Sequence, residues 1–377
     1  MSIYDFYEEE NYFNNKETNQ YLDFFNDDIL INNSNINRIQ TNINVESNIS
    51  SNKICGIYNT GNHYYLISGF QILVSCTELI QELYKTNKIK GIVLYLKEAI
   101  YYLINKDYYD PTKFINFFNY LNPDFIKDGK CTSQDFIRTL IININSEYMK
   151  AFTYINENNT QYNPRGKDKI EFEKFMESYN INQESKIQSL FYGILKSQSF
   201  AKCAYCNNNV EKIAFNSFID FNIKLDNINK NCKFSEVLAN NLDISRNITK
   251  ECPHCHNEIV LKTENKFIKL PDILIFTLER TQEGPNILEI FPDETLNIAN
   301  YVDEYLDENF TTYELFAVNI RIGNFNNFVQ EKCQIKRKEI WYEIDGSKAI
   351  EINKPSYFEF SYGLFYRKKF DFTFGRI

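Results

Sequence analysis

The sequence predicts an α+β protein, with a helical first half, a strand-rich second half and a metal-binding insertion in the second. Three observations carry this. Apolar residues recur at helical spacing up to about residue 190, the texture turns to short β-branched and aromatic runs after Cys206, and four of the nine cysteines fall in two Cys-x-x-Cys pairs. The 377 residues are 43% hydrophobic and 16% aromatic, enough for one large core or two smaller ones.

Charge and cysteine usage exclude several classes. The net charge is −9, and the 41 Lys and Arg are scattered among Asn and Asp. Nucleic acid, which wants clustered cations, is not an expected partner. No apolar run approaches the roughly 20 residues of a membrane span, and the opening MSIYDFYEEENYF is acidic where a secretory signal is basic and then apolar. No membrane partner is expected, and the chain reads as soluble and intracellular, cytoplasmic or nuclear. An odd cysteine count in a long chain argues for reduced thiols plus a metal rather than a disulfide framework.

Taken in order, residues 1–53 are rich in Asn, Asp and Glu with Tyr4, Phe6, Tyr7, Tyr12, Phe13, Tyr21, Phe24 and Phe25 interleaved. Two readings stay open for this extension: compositional drift, or an acidic, aromatic docking segment. From Cys55 a Gly and Asn turn cluster runs into a helix ending near Leu83, with Leu66, Phe70, Leu73, Thr77 and Ile80 near the period of 3.6. A second helix is predicted near 135–149 from Phe136, Ile137, Leu140, Ile141 and Ile144. Beyond Cys206, strands are predicted over Ala214 to Leu225, Lys266 to Leu278, Tyr313 to Ile322 and Ile340 to Ile344. No internal repeat is visible.

Gly56 to Leu73 reads GIYNTGNHYYLISGFQIL. It resembles the first signature of ubiquitin-specific proteases, GL-x-N-x-GNTCY-x-NS-x-x-Q-x-L, matching at Gly56, Asn59, Gly61, Asn62, Tyr65, Ser68, Gln71 and Leu73. Further motifs of that family follow in order. Lys130 to Ile141 resembles its QQDA-x-EFL helix, with Thr132 where the family keeps an Asp that holds the substrate backbone. Phe191 to Ser197 with Cys203 and Cys206, then Cys252 with Cys255, then Leu270 to Arg280 resemble its two Cys-x-x-Cys stretches and an LP-x-x-L-x-x-x-L-x-R strand. Tyr313 to Val318 and Trp341 to Asp345 resemble the strands that bracket its catalytic histidine.

The resemblance covers about 54–368 and implies the papain-like hand of that family: a helical thumb (about 54–190), zinc-ribbon fingers of β-strands (about 191–290) and a β palm (about 291–368), with 369–377 as a tail. Two Cys-x-x-Cys pairs offer four thiolates in a tetrahedron, so Cys203, Cys206, Cys252 and Cys255 are the candidate ligands of one structural zinc. Four cysteines that have lost the metal are the alternative. His254 and His256 lie beside the second pair, and four thiols make either unnecessary. Cys55, Cys76, Cys131, Cys232 and Cys333 read as small core residues.

A thiol protease needs a thiolate, an imidazole, a group that orients it and an oxyanion donor. The resemblance assigns Asn59 to the oxyanion donor and Asp345 to the orienting acid, with Gly346 in place of a usual second Asp. The nucleophile's position is held by Tyr64, a phenol whose ordinary pKa is near 10. Asn327 is the nearest counterpart of the histidine. The chain has only three histidines, at 63, 254 and 256, and His63 reads as a surface or capping residue.

The sequence therefore predicts an inactive, ubiquitin-specific-protease-like pseudoenzyme: a scaffold, or a module that binds ubiquitin, a ubiquitin-like protein or a ubiquitinated protein. The alternative is an active ubiquitin carboxyl-terminal hydrolase with displaced catalytic residues. A third reading keeps the fold as a partner-binding platform without ubiquitin.

Overall fold

The structure, a computed structural model, describes residues 54–58, 63–85, 90–125, 131–151, 162–178, 185–225, 228–242, 248–280, 288–306, 310–323 and 330–370. The N-terminal extension, Asn59 and Asn327 lie outside the described residues. No helix among the described residues is long and apolar enough to cross a membrane.

The first lobe is helical. Tyr64–Ser75 is followed by Thr77–Tyr84, Ile92–Asn105, Thr112–Leu121, Ser133–Ala151, Gly166–Ser178 and Lys186–Phe191. The single helix expected between residues 64 and 83 is two, because Cys76 leaves the helical region at ψ 87° and its N–H closes on the Leu73 carbonyl at 3.0 Å. Tyr65 to Ser75 are all buried. A helix covered all round lies in a core rather than on a surface.

Its neighbours are Ser133–Ala151 on one side and the strand Gln330–Arg337 on the other. Gly69 makes the first crossing close: a Cβ there would lie 2.5 Å from Phe136 Cδ1. Phe70, Phe114, Phe118 and Phe136 interlock edge-to-face and stacked beside it. Each ring so buried contributes on the order of 1.5–3 kcal/mol.

Among the described residues the second lobe holds two main sheets, besides a short parallel pair of Cys232–Lys233 with Ile290–Phe291. The larger has eight strands: Lys348–Ile352, Ile340–Asp345, Gln330–Arg337, Thr312–Ile322, Ser361–Lys368, Ile273–Glu279 and Asp220–Lys224 in spatial order, with Thr295–Asn297 added to Thr312–Ile322. All pair antiparallel except Asp220–Lys224 with Ile273–Glu279, which run parallel. The smaller is an antiparallel four-stranded sheet of Asn209–Phe218, Gly193–Lys202, Glu258–Lys269 and Ile248–Glu251.

Two expected strands are each split. Ala214 to Leu225 breaks at Ile219 into Asn209–Phe218 and Asp220–Lys224, and Lys266 to Leu278 breaks at Leu270-Pro271-Asp272. Pro271 has no N–H for the ladder, and its carbonyl is instead fixed by the Tyr313 hydroxyl at 2.7 Å. Each break lets the chain cross from the small sheet to the large one. Asp220–Lys224 and Ile273–Glu279 are therefore strands of the large sheet.

Candidate functional site

Three segments converge where the Tyr64 helix begins. His63 stands at its N-cap, but its carbonyl, accepting from Leu66 N at 3.1 Å and Ile67 N at 3.2 Å, does the capping, and its side chain makes no cap bond. Burial lowers the His63 imidazole below its ordinary pKa. Tyr64, half-buried, is the first residue of the helix.

The motif's polar residues tie this helix down. Gln71 donates from Nε2 to the Cys55 carbonyl at 2.8 Å, and its Oε1 accepts from Arg337 Nη2 at 3.2 Å. Segment and strand are thereby held on either side of the helix. Ser133 Oγ bonds to the Tyr65 carbonyl at 2.9 Å, and both its hydroxyl and its N–H meet Glu331 Oε2. Glu331 is 2% exposed, and burial raises its carboxyl above the ordinary value.

Thr132 has been absorbed into a helix cap. Its N–H and hydroxyl reach Asp135 Oδ2 at 3.2 and 2.7 Å, while its Oγ1 accepts from Asp135 N at 3.1 Å, a reciprocal box at the start of Ser133–Ala151. Its side chain is 3% exposed.

Asp345 ends the strand that pairs with Gln330–Arg337. Its carboxylate is already engaged: Gln330 Nε2 donates to Oδ1 at 2.7 Å and to Oδ2 at 2.9 Å, and Lys332 Nζ lies 3.0 Å from Oδ2. Burial opposes the charged form of Lys332, but the Asp345 contact and the charges of Asp345 and Glu343 outweigh it and hold the ammonium above its ordinary pKa. Sequence reasoning missed Gln330, Lys332 and Glu331. The signal available was a polar run, Gln330-Glu331-Lys332, opening a strand in which Cys333 and Ile335 alternate with polar residues.

The second site is at the far ends of the small sheet. Gly193–Lys202 and Asn209–Phe218 form a hairpin with Cys203 and Cys206 at its tip, and Ile248–Glu251 and Glu258–Lys269 form another with Cys252 and Cys255. Pairing of Gly193–Lys202 with Glu258–Lys269 brings the two tips together, which is how 45 intervening residues are bridged.

The tips are alike. Asn207 N and His256 N donate to the Cys203 and Cys252 carbonyls, each at 2.9 Å, and Asn207 and His256 both sit at φ 60°. The four Sγ atoms lie within 4.8 Å of one another, with Cys203–Cys255 at 3.5 Å and Cys206–Cys252 at 3.7 Å. A zinc tetrahedron with bonds of about 2.3 Å has edges of about 3.8 Å, so the spacing fits. Backbone and side-chain N–H groups of Asn257 lower the Cys255 thiol below its ordinary value, favouring the thiolate a metal needs. His254 and His256 are exposed and lie outside the cluster. The four cysteines fit a structural zinc site.

Of the five other cysteines, Cys55, Cys76, Cys232 and Cys333 are buried. Cys131 is half-buried, and its thiol donates to the Phe125 carbonyl at 2.7 Å.

A helix-bearing lobe set against a large palm sheet, with four thiols at the tip of a second sheet, defines the ubiquitin-specific-protease hand. The family model described as ubiquitin carboxyl-terminal hydrolase matches residues 55–366, and the chain belongs to that family. Among solved structures, the chain is similar to the SAGA DUB module of Ubp8, Sgf11, Sus1 and Sgf73 bound to monoubiquitin, with 18% identity, TM-score 0.61, and 84% of this chain and 69% of that one covered. It is also similar to a yeast SAGA DUB module carrying a mutant Sgf73, with 19% identity, TM-score 0.63, and 90% and 75% covered. No curated protein matched.

Proposed function

We propose that this chain is a catalytically silent member of its family that binds ubiquitin, a ubiquitin-like protein or a ubiquitinated protein without cleaving it, in an intracellular setting, cytoplasmic or nuclear. The observation that carries the reading is Tyr64 at the first position of the buried helix, where the family motif has a cysteine. A phenol there is bulkier than a thiol and un-ionised near neutral pH. Asn59 and Asn327 take the oxyanion-donor and histidine positions by sequence, and an amide cannot carry a proton between nucleophile and leaving group.

The monoubiquitin in the similar module supports ubiquitin as the first partner to try. Structural zinc at Cys203, Cys206, Cys252 and Cys255 keeps the fingers in shape for such a partner. Titration of ubiquitin into purified protein, followed by calorimetry or NMR, tests the binding half. Saturable binding without release of a fused reporter is the expected outcome, and absence of binding to ubiquitin and to ubiquitin chains would overturn it.

The alternative, an active hydrolase with displaced residues, needs a thiol and a base brought together. Cys131 is the incompletely buried thiol outside the metal cluster among the described residues. A ubiquitin probe with a cysteine-directed electrophile separates the two readings: labelling abolished by Cys131→Ser favours the alternative.

A further inference from the structure

The first turns of the helix Ser133–Ala151 lie across the large sheet, and their side chains meet it strand by strand. Ser133 N donates to Glu331 Oε2 at 2.9 Å, and the Ser133 hydroxyl meets the same oxygen, which ties the helix to Gln330–Arg337. On the next strand, Asn319 Nδ2 donates to Gln134 Oε1 at 2.9 Å. On the strand after that, Gly363 has no side chain where Gln134 arrives. A Cβ there would lie 1.6 Å from Gln134 Nε2, so the amide rests on bare backbone. One turn further along the helix, Arg138 donates from Nε to Asp220 Oδ1 at 2.6 Å and from Nη2 to Oδ2 at 2.5 Å. Asp220 Oδ2 also accepts from Thr277 Oγ1 at 2.8 Å. Five neighbouring strands of the sheet are thereby joined to one helix end.

This seam between the lobes is closed to solvent. Ser133, Gln134, Asn319 and Glu331 are each 2% exposed or less. Arg321, also buried, fills the remaining corner, with Nε 4.0 Å from Glu331 Oε1 and the guanidinium carbon 5.5 Å from the centre of the Tyr362 ring. An extended peptide needs about 4.8 Å beside a strand and about 10 Å between two packed faces. Helix and sheet are bridged here by single hydrogen bonds and by an amide lying on a glycine, which leaves no such width.

We infer that the chain's own side chains, Gln134 and Glu331 foremost, fill the seam between the lobes, so that a bound ubiquitin is held by its folded body and its flexible C-terminal tail takes no part. The choice of ubiquitin rests on the binding reading above, and the filled seam does not. Discrimination of this kind works by exclusion, since the space a tail would need is taken before it arrives. A tail forced between helix and sheet would break the Ser133–Glu331 and Gln134–Asn319 bonds together and would have to satisfy every one of those buried groups itself. Pre-organised partners bind with backbone movements of about 1 Å or less, which is too little to open the seam.

The test uses the wild-type full chain throughout. By calorimetry, ubiquitin and ubiquitin truncated before its C-terminal tail are expected to bind with Kd values within about threefold of each other, and any larger loss on truncation overturns the inference. A synthetic peptide of the tail is then titrated into isotope-labelled protein. The amides of Ser133, Gln134, Asn319 and Glu331 are expected to keep their shifts, and saturable movement of these signals overturns the inference. Hydrogen exchange at the Ser133 amide, which donates to the buried Glu331 carboxylate, is expected to be slow in the unbound chain. Exchange there as fast as at an exposed amide overturns the inference as well, because the seam would then be open. Failure of the binding reading is seen separately, as no complex with either form of ubiquitin. The peptide titration and the Ser133 exchange rate still decide whether the seam is filled.

Discussion

A phenol at the start of a helix cannot do the work of a thiolate there. The helix dipole favours negative charge at its N-terminus, but an ordinary phenol loses its proton near pH 10, whereas a thiol so placed ionises near neutrality. Changing Tyr64→Cys alone is therefore expected to leave hydrolysis undetectable, and Asn327→His alone likewise, because nucleophile and base act as a unit. A ubiquitin-fusion cleavage assay of each single variant checks this, and turnover by either one alone would contradict it.

Another residue carries a pH dependence. Glu147 reaches across from Ser133–Ala151 to cap the helix Ile92–Asn105, accepting from Ile92 N at 2.7 Å and Val93 N at 3.1 Å. Gly91, at φ 65°, makes room: a Cβ there would lie 2.1 Å from Glu147 Oε1. Burial raises the Glu147 carboxyl from 4.5 to about 7, against the lowering by the two N–H groups and Lys150. The folded state then holds the proton more tightly than the unfolded chain, so stability is expected to fall as pH rises from about 4.5 to about 7. Glu147→Gln should flatten that slope in urea melts between these limits, and an unchanged slope would refute the assignment.

At the scale of elements, the fingers are expected to depend on a metal and the palm is not, because the four thiols that fit a zinc site lie at the finger tips. The cluster beneath the tips is small, with Cys203, Cys252, Ile259 and Leu261 buried and Ala201 and Val210 packed against them. The palm core is large and separate, centred on residues such as Phe234, Phe276, Val318 and Tyr366. One zinc per chain is expected by elemental analysis, and Cys252→Ser should abolish or greatly weaken it. Chelation should raise amide exchange at Gly193–Lys202 and Glu258–Lys269 near the tips and leave Thr312–Ile322 protected. Structural zinc contributes on the order of 10 kcal/mol to some small domains. Equal loosening of the palm would contradict this division.

Elements also mark what a sequence reveals. The helix near 135–149 and the strands at Tyr313 to Ile322 and Ile340 to Ile344 were legible because apolar periodicity is local, and they are observed as Ser133–Ala151, Thr312–Ile322 and Ile340–Asp345. The four-thiol site was legible because Cys-x-x-Cys spacing encodes its own knuckle. The breaks at Ile219 and Pro271 were not, since each is set by where the chain crosses between sheets, and neither was the turn at Cys76, which joins two helices with no Gly or Pro to mark it. The Gln330–Asp345 and Ser133–Glu331 contacts join residues 15 and 198 apart, and no local pattern announces such pairs.

For the whole molecule, the family's framework is kept among the described residues, and the proposed reading is that its chemistry is not. Gly69 still lets two helices approach, Gln71 still bridges Cys55 and Arg337, and the four thiols still meet. These are folding functions, and they need no turnover to be worth retaining. The measurement that tests the central claim most directly is single-turnover cleavage of a ubiquitin fusion by excess wild-type protein. The account predicts no released product over hours, with the protein folded and zinc-loaded. Product formation that a single cysteine substitution such as Cys131→Ser abolishes would contradict it, and would place the reacting thiol elsewhere than position 64.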